Sequence, residues 1–221
     1  MERKHIVAKF DRELSEIEDQ VVKMADWVAD QVRDAAKALV TQDDKLAKQV
    51  AKRDREVNRM EERLDQRTIR LMALRQPMGE DLRLTVATLK ISGHLERLGD
   101  YAKTTCYRVR AVDDFSAMKS VLQSISDLSD KVVTMISLAI EAYVNRDLEK
   151  AREVMAMDID INDRTDGLLR EVLTYMLENP RNIEPCTHLL FISKNMERSG
   201  DQAKNIAEQV RYLVTGELAE D

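Results

Sequence analysis

Residues 96–103 read ERLGDYAK and residues 197–204 read ERSGDQAK, so six of eight positions are identical in two segments that lie 101 residues apart. A second pair of segments, AKRDREVNRM (51–60) and MAMDIDINDR (155–164), aligns at a period of 104. Similarity at a fixed period indicates a repeated structural unit. The three-residue difference between the two periods falls in a proline-containing connection, where insertions are tolerated.

The composition predicts that each repeat is helical. The 221 residues include only six glycines and three prolines, aromatic residues make up 4% and charged residues 34%. Long amphipathic helices have this composition. Apolar residues between Val7 and Val28 alternate in steps of three and four, which is the seam of a helix that packs lengthwise on others.

The same periodicity and the positions of proline and glycine predict six long helices. They are expected to run to about Leu39, from Asp43 or Asp44 to QPMGED (76–81), from Glu80 to about Val112, from the region of Ile125 to about Asn145, from Asp147 or Leu148 to ENPRNIEP (178–185), and from about Thr187 to Val214, with Gly216 ending the last. The break VDDFS (112–116) separates the halves. We therefore predict an all-α fold, a tandem duplication of an antiparallel three-helix bundle with domains at 1–112 and 116–221.

Charge and cysteine content restrict the function. The net charge is −6 and no basic block occurs, which argues against nucleic acid as a partner. The longest uncharged apolar stretch, VVTMISLAI (132–140), is about half of a membrane span, and the N-terminus lacks the apolar core of a signal peptide. Cys106 and Cys186 lack metal-ligand spacing and are expected to be reduced and at least partly buried, which fits the cytoplasm.

The repeated segments place carboxylates in pairs. Residues four apart stack on one face of a helix, so Glu96 with Asp100, and Glu197 with Asp201, point the same way. Each pair encloses a glycine inside a helix, which costs about 1 kcal/mol relative to alanine and suggests close approach of another group. The preceding helix of each half repeats the spacing with oxygen-bearing side chains that should face these pairs: Asp54 and Asn58 in the first half, Asp158 and Asn162 in the second.

Such oxygen donors suit hard cations. Mg²⁺, Mn²⁺, Ca²⁺ and ferric iron prefer these ligands, and carboxylates can bridge the ions of a multinuclear cluster, whereas a closed zinc site would use cysteine or histidine. Two alternatives stay open. The carboxylates can be a solvated helix face on a bare scaffold, or the bundle can be an iron-storage or redox enzyme. The second is weakened because the Glu-x-x-His element of di-iron bundles occurs only as Glu2 to His5.

The longer segments QPMGEDLRLTVATLKISGHLERLGDYAK (76–103) and ERSGDQAKNIAEQVRYLVTGE (197–217) resemble the PhoU family over essentially the whole chain. The resemblance implies a cytoplasmic, non-enzymatic accessory protein of phosphate transport that acts as a negative regulator of the phosphate-starvation response. It also implies a homodimer, with the ATPase subunit of the phosphate importer and a sensor histidine kinase as partners.

The same resemblance implies multinuclear metal clusters at the motif residues Glu96, Asp100, Glu197 and Asp201. The metal is expected to be iron, manganese, magnesium or zinc, and the sequence leaves its identity open. The second half has ENPRNIEPCTH where the first has QPMGEDLR, so we expect the two sites to differ in shape or occupancy.

Overall fold

The structure is a computed structural model that describes the backbone of residues 2–217 and the side chains of residues 9–217. Val7 and the Glu2 to His5 element therefore lie outside the described side chains. The described residues form six α-helices: α1 (Glu2–Thr41), α2 (Asp44–Arg75), α3 (Glu80–Val109), α4 (Lys119–Asn145), α5 (Leu148–Glu178) and α6 (Ile183–Thr215). Single 3-10 turns at Ser116–Met118 and Pro180–Asn182 precede α4 and α6, and no strand occurs within residues 2–217. The prediction of an all-α fold with six long helices is confirmed.

Equivalent aspartate caps begin the second helix of each half. Asp43 begins α2 by accepting a hydrogen bond from the Leu46 N–H, and Asp147 begins α5 by accepting from the N–H groups of Glu149 and Lys150. An aspartate at this position satisfies backbone donors that the helix itself leaves free. Gly216 ends α6 in the left-handed conformation with a φ of 77°, as its position predicted.

Three predicted boundaries were wrong. The third helix ends at Val109 rather than near Val112. The fourth begins at Lys119 rather than in the region of Ile125. The sixth helix begins at Ile183 rather than Thr187, so Pro185 lies inside its first turn. Proline is tolerated there because the first N–H groups of a helix have no partner within the helix.

Each half is an antiparallel bundle of three helices, and the two bundles pack side by side. Helix α1 packs on α4, and α3 packs on α6, while α2 and α5 flank their own bundles. Both central pairs are antiparallel: Glu18 of α1 pairs with Arg146 at the end of α4 at 2.6 Å, and Arg83 near the start of α3 donates to the carbonyl oxygen of Leu213 near the end of α6.

The two bundles share one continuous core. Apolar side chains of all six helices form a single buried cluster. Inside it, the hydroxyl groups of Thr88 on α3 and Tyr143 on α4 are 2.7 Å apart and form a buried hydrogen bond between the halves. Cys106 and Cys186 are also buried and unpaired with each other. Among the described residues, no helix is long and apolar enough to cross a membrane.

Candidate metal sites

The first site lies between α2 and α3. Asp54 is 2% exposed on α2, and across the groove α3 presents Glu96, Asp100 and Lys103. The Lys103 ammonium donates to Asp54 Oδ2 at 2.7 Å and to Asp100 Oδ1 at 3.1 Å. Burial, followed by the charge of Asp100, raises the pKa of Glu96, and Glu61 and Asp54 add smaller contributions. The predicted carboxylates of the first repeat therefore share one electrostatic environment.

The second site lies between α5 and α6 and repeats this arrangement. Asp158 is 3% exposed on α5 and faces Glu197, Asp201 and Lys204 of α6. Burial raises the pKa of Asp201 most, and the charges of Asp158 and then Glu197 raise it further. The Lys204 ammonium is 3.5 Å from Asp158 Oδ2, and Lys194 pairs with Glu197. The predicted residues of the second repeat are thus also brought together.

Both sites contain buried oxygen atoms without hydrogen-bond partners. These atoms are Asp54 Oδ1 and Asn58 Oδ1 in the first site, and Asp158 Oδ1 and Asn162 Oδ1 in the second. A buried polar atom that lacks a partner is costly, so it is uncommon in a native structure. The same four positions were selected from the sequence as oxygen donors. Their unsatisfied lone pairs fit a hard cation, which accepts carboxylate and amide oxygens.

The helical glycines are placed where the two helices approach each other closely. A Cβ at Gly99 would lie 3.2 Å from Gln31 Oε1, 3.3 Å from Val57 Cγ1 and 3.5 Å from Asp54 Oδ1. A Cβ at Gly200 would lie 3.3 Å from both Asp158 Oδ1 and Ile161 Cδ1. At Gly200 the approaching groups are thus the buried aspartate and an isoleucine of α5, whereas at Gly99 the nearest group is the Gln31 amide oxygen of α1, followed by Val57 and Asp54 of α2.

Lysine ammonium groups are the cations that the structure places at the sites. Within residues 9–217, no three side chains of His, Cys, Asp or Glu are arranged around one point so that they could hold an ion. Lys103 lies between two carboxylates of the first site, while Lys204 is near only one in the second. The residues fit a bound metal ion by ligand chemistry and by their unpartnered oxygens. Coordination would require the side chains to draw together around the ion.

The two sites differ at residues that the sequence reasoning missed. Gln31 of α1 reaches the first site, is 1% exposed, and has both amide atoms without partners. At the period of 104, its counterpart in α4 is the buried Met135. The turn QPMGED, expected to affect site shape, begins α3 about 24 Å along the helix from Glu96. The difference at Gln31 is therefore closer to the site than the difference between the turns.

The two histidines with described side chains, His94 and His188, do not take part in either site. His94 Nδ1 lies 2.9 Å from Gln202 Oε1 between α3 and α6, and burial lowers its pKa. His188 is partly buried with Nδ1 unpartnered, and His5 lies outside the described side chains. The Glu-x-x-His element needed for the di-iron alternative thus has no described geometry.

Comparison with known proteins agrees with this architecture. The PhoU domain model matches residues 21–109 and 125–210, one match in each half. The "Phosphate-specific transport system accessory protein PhoU homolog" of Rhizobium meliloti is 38% identical over 216 residues, covering 98% of this chain and 91% of that protein. The "Phosphate-specific transport system accessory protein PhoU" of Escherichia coli is 35% identical over 215 residues, covering 97% and 88%.

Two crystal structures have the same fold. PhoU from Pseudomonas aeruginosa superposes with a TM-score of 0.88 at 33% identity, covering 94% of this chain and all of that one. The phosphate transport system regulatory protein PhoU from Streptococcus pneumoniae gives a TM-score of 0.89 at 25% identity, covering 96% of this chain and all of that one.

Proposed function

The chain belongs to the PhoU family, and on that basis we propose that it is a cytoplasmic adaptor that restrains the phosphate-starvation response. In this role it binds the ATPase subunit of the high-affinity phosphate importer and a sensor histidine kinase, acts as a homodimer, and limits phosphate uptake. The observation that carries the proposal is the similarity to phosphate-transport accessory proteins over nearly the whole chain and in both repeats.

An adaptor acts by binding one conformation of its partner better than another. A regulator that prefers the inactive kinase shifts the kinase toward that state, and its removal releases the kinase whatever the phosphate supply. This mechanism requires binding surfaces and no chemical step. The proposed activity is accordingly regulatory rather than enzymatic.

Metal ions have a structural part in the proposal. An ion held by Asp54, Asn58, Glu96 and Asp100, or by Asp158, Asn162, Glu197 and Asp201, would join the outer helix of a bundle to its central helix. It would neutralise carboxylates that repel one another and would supply partners for the unsatisfied oxygens. A metal ion is thus expected to rigidify the groove between the two helices, and this groove forms part of the protein surface.

Deletion of the gene tests the regulatory role. Cells without this protein should express phosphate-starvation genes in phosphate-rich medium, and a plasmid copy of the gene should restore repression. A reporter of one such gene measures the outcome. Normal repression in a deletion strain whose genome encodes no second chain with the duplicated ERxGD motif would contradict the proposal.

Direct binding tests the adaptor role. The purified importer ATPase subunit and the cytoplasmic part of the kinase should each retain this protein on an affinity column. If this protein passes through both affinity columns without being retained, the adaptor mechanism is contradicted, even if the deletion phenotype is present.

A further inference from the structure

A long surface groove runs between α1 and α2, on a different face from the carboxylate sites. Three adjoining depressions form it, and neighbouring depressions share Lys23, Met60, Arg63 and Arg67 in their linings. The depression with the largest volume, about 850 Å³, is lined by Trp27, which is 39% exposed. Leu74, which is 67% exposed, lines the other end. Apolar side chains spaced along a groove between helices are the kind of anchor that the apolar face of a bound amphipathic helix contacts.

The groove is basic although the chain is acidic. Its lining contains eight lysine or arginine residues and four acidic residues, whereas the whole chain has a net charge of −6. Four of these cations form ion pairs: Arg53 with Asp34, Arg63 with Glu56, Arg67 with Glu16, and Arg75 with Glu13. Among the residues with described side chains, no acidic group pairs with Lys23, Lys52 or Arg70 within 4 Å. The groove therefore presents unneutralised positive charge.

The duplicated half provides an internal comparison. At the period of 104, Lys23 corresponds to Asp127, Arg67 to Glu171, and Leu74 to Glu178. Asp127 and Glu171 line a smaller depression of about 200 Å³ between α4 and α5. A feature that the fold required would occur in both copies, because both bundles pack in the same way. The basic, partly apolar groove is specific to the first copy and thus goes beyond the needs of folding.

We propose that the groove between α1 and α2 is a docking site for an acidic amphipathic helix of a partner protein. A third helix can lie in the furrow between two antiparallel helices, with its apolar face on Trp27, Met60 and Leu74. Its acidic flanks would meet Lys23, Lys52 and Arg70. The span from Lys9 to Asp30 on α1 is about 32 Å, which a helix of about 20 residues matches. The proposal concerns binding alone and does not depend on the regulatory role or on metal.

The single tryptophan allows the site to be tested directly. The probe is a fluorescein-labelled peptide of 20 residues with leucines on one helical face and glutamates on the other. Its counterpart has lysines in place of the glutamates. Fluorescence anisotropy measures affinity, and Trp27 emission, read with unlabelled peptide, reports where the peptide binds. We expect saturable binding of the acidic peptide, a shift in Trp27 emission, weakening by at least tenfold in 0.5 M NaCl, and no binding of the lysine peptide.

Charge-reversal variants give the matched comparison. Lys23→Asp with Lys52→Glu should weaken binding of the acidic peptide at least tenfold. Arg170→Glu with Arg181→Glu changes the net charge equally on exposed parts of the second copy and should leave affinity within twofold. Neither pair of changes removes a described ion pair, and circular dichroism checks that all variants stay folded.

Several outcomes would overturn the proposal. The proposal fails if both double variants lose affinity for the acidic peptide equally, or if the two peptides bind equally well. It also fails if peptide binding does not change Trp27 emission. The same applies if the acidic peptide does not bind while anionic phospholipid vesicles or single-stranded RNA shift Trp27 emission. Self-association that shifts Trp27 emission and is lost in the Lys23→Asp/Lys52→Glu variant would assign the groove to a second copy of this chain instead.

Discussion

Gly99 and Gly93 lie on the same helix but differ in what an added methyl group would meet. At Gly93 the space is open, whereas at Gly99 a Cβ would press on Gln31 and on Val57 Cγ1 at 3.3 Å. Valine is stiff at χ1 and cannot easily turn away. The sequence indicated a close approach at Gly99 because the same glycine recurs in the repeat. It did not identify Gln31, because that residue comes from another helix and its counterpart is Met135.

Alanine substitutions at the two glycines should therefore have opposite effects. Gly93→Ala should raise the free energy of unfolding by up to about 1 kcal/mol through helix propensity. Gly99→Ala gains the same propensity but overpacks the contact between α2 and α3, at a cost of about 1–3 kcal/mol, and should be less stable than the parent. Urea unfolding of both variants measures the difference. An equal gain in both would refute the close-approach explanation.

Asp201 supplies a pH-dependent prediction for the metal-free protein. Its pKa is raised from 3.8 by burial, then by Asp158 and Glu197, so the folded state binds protons that the unfolded state has released. Between the ordinary and raised pKa values, stability therefore falls as the pH rises, and the loss persists at higher pH. An asparagine at this position carries no charge, so its stability does not fall in this way.

The Asp201→Asn variant should thus have the same free energy of unfolding as the parent below about pH 3.8. It should become more stable than the parent as the pH rises from there to the raised pKa of Asp201. Relief of repulsion between like charges one helical turn apart is worth about 0.2–0.5 kcal/mol. Urea unfolding at a series of pH values, with a chelator present, measures the difference. A variant less stable than the parent at neutral pH would show that the Asp201 charge is satisfied by a partner.

At the scale of the helical element, the repeat predicted which helix faces would meet. Tertiary packing determined which further side chains contact the carboxylates. Asp54 on α2 was matched with α3 because short connections make neighbouring helices antiparallel. Lys103 and Lys204 were visible in the two quoted octapeptides, yet their role as counter-ions was missed. Their spacing of three residues after Asp100 and Asp201 was the available signal, because residues three apart share a helix face.

The unequal lysine contacts predict unequal metal binding by the two pairs of helices. One ammonium group, Lys103, is held by two carboxylates in the first site, whereas in the second Lys204 is held by one at a longer distance and the more exposed Lys194 pairs with Glu197. An entering ion must displace these ammonium groups, so the site between α5 and α6 should take Mn²⁺ at lower concentration. Lys103→Met should tighten Mn²⁺ binding at the first site by roughly tenfold, since hydrogen bonds between charged groups contribute about 1.5–3 kcal/mol. Lys204→Met should have a smaller effect.

Isothermal titration with Mn²⁺, supported by elemental analysis, measures these changes. Glu197→Ala with Asp201→Ala should remove the tighter class of sites while the protein stays helical, because the apolar seam is unchanged. Lys119→Met, an exposed lysine away from both sites, serves as the control. Equal tightening by all three lysine variants would exclude displacement of a site lysine, and unchanged Mn²⁺ stoichiometry in the carboxylate variant would exclude the site itself.

At the scale of the whole molecule, the duplication was readable from sequence but the joining of its halves was not. The periodic apolar seams of α1 and α3 are the same whether they face only their own bundle or also a second one. The structure gives each of these helices a partner in the other half and merges both bundles into one core. The domain boundary at 112–116 stays a prediction about chain organisation, whereas the shared core bears on stability.

The shared core predicts that both halves unfold together. Trp27 lies on α1 and reports the first half, while far-UV circular dichroism reports all six helices. Their urea transitions should coincide if the two bundles form one cooperative unit. Tyr143→Phe removes the buried hydrogen bond to Thr88 between the halves and should lower the free energy of unfolding by about 1 kcal/mol. Because the bond joins the bundles, the midpoints from both probes should shift equally.

A substitution inside one half provides the comparison. The hydroxyl of Ser120 is 3.0 Å from that of Tyr175, an exposed contact between α4 and α5, so Ser120→Ala should change stability by less than about 0.5 kcal/mol. If the bundles were independent, Tyr143→Phe would shift the circular dichroism transition while leaving the midpoint of Trp27 fluorescence unchanged. Coincident shifts would instead mean that a change at one repeat alters the stability of the other, which lets an ion or a partner bound to one half act on the whole protein.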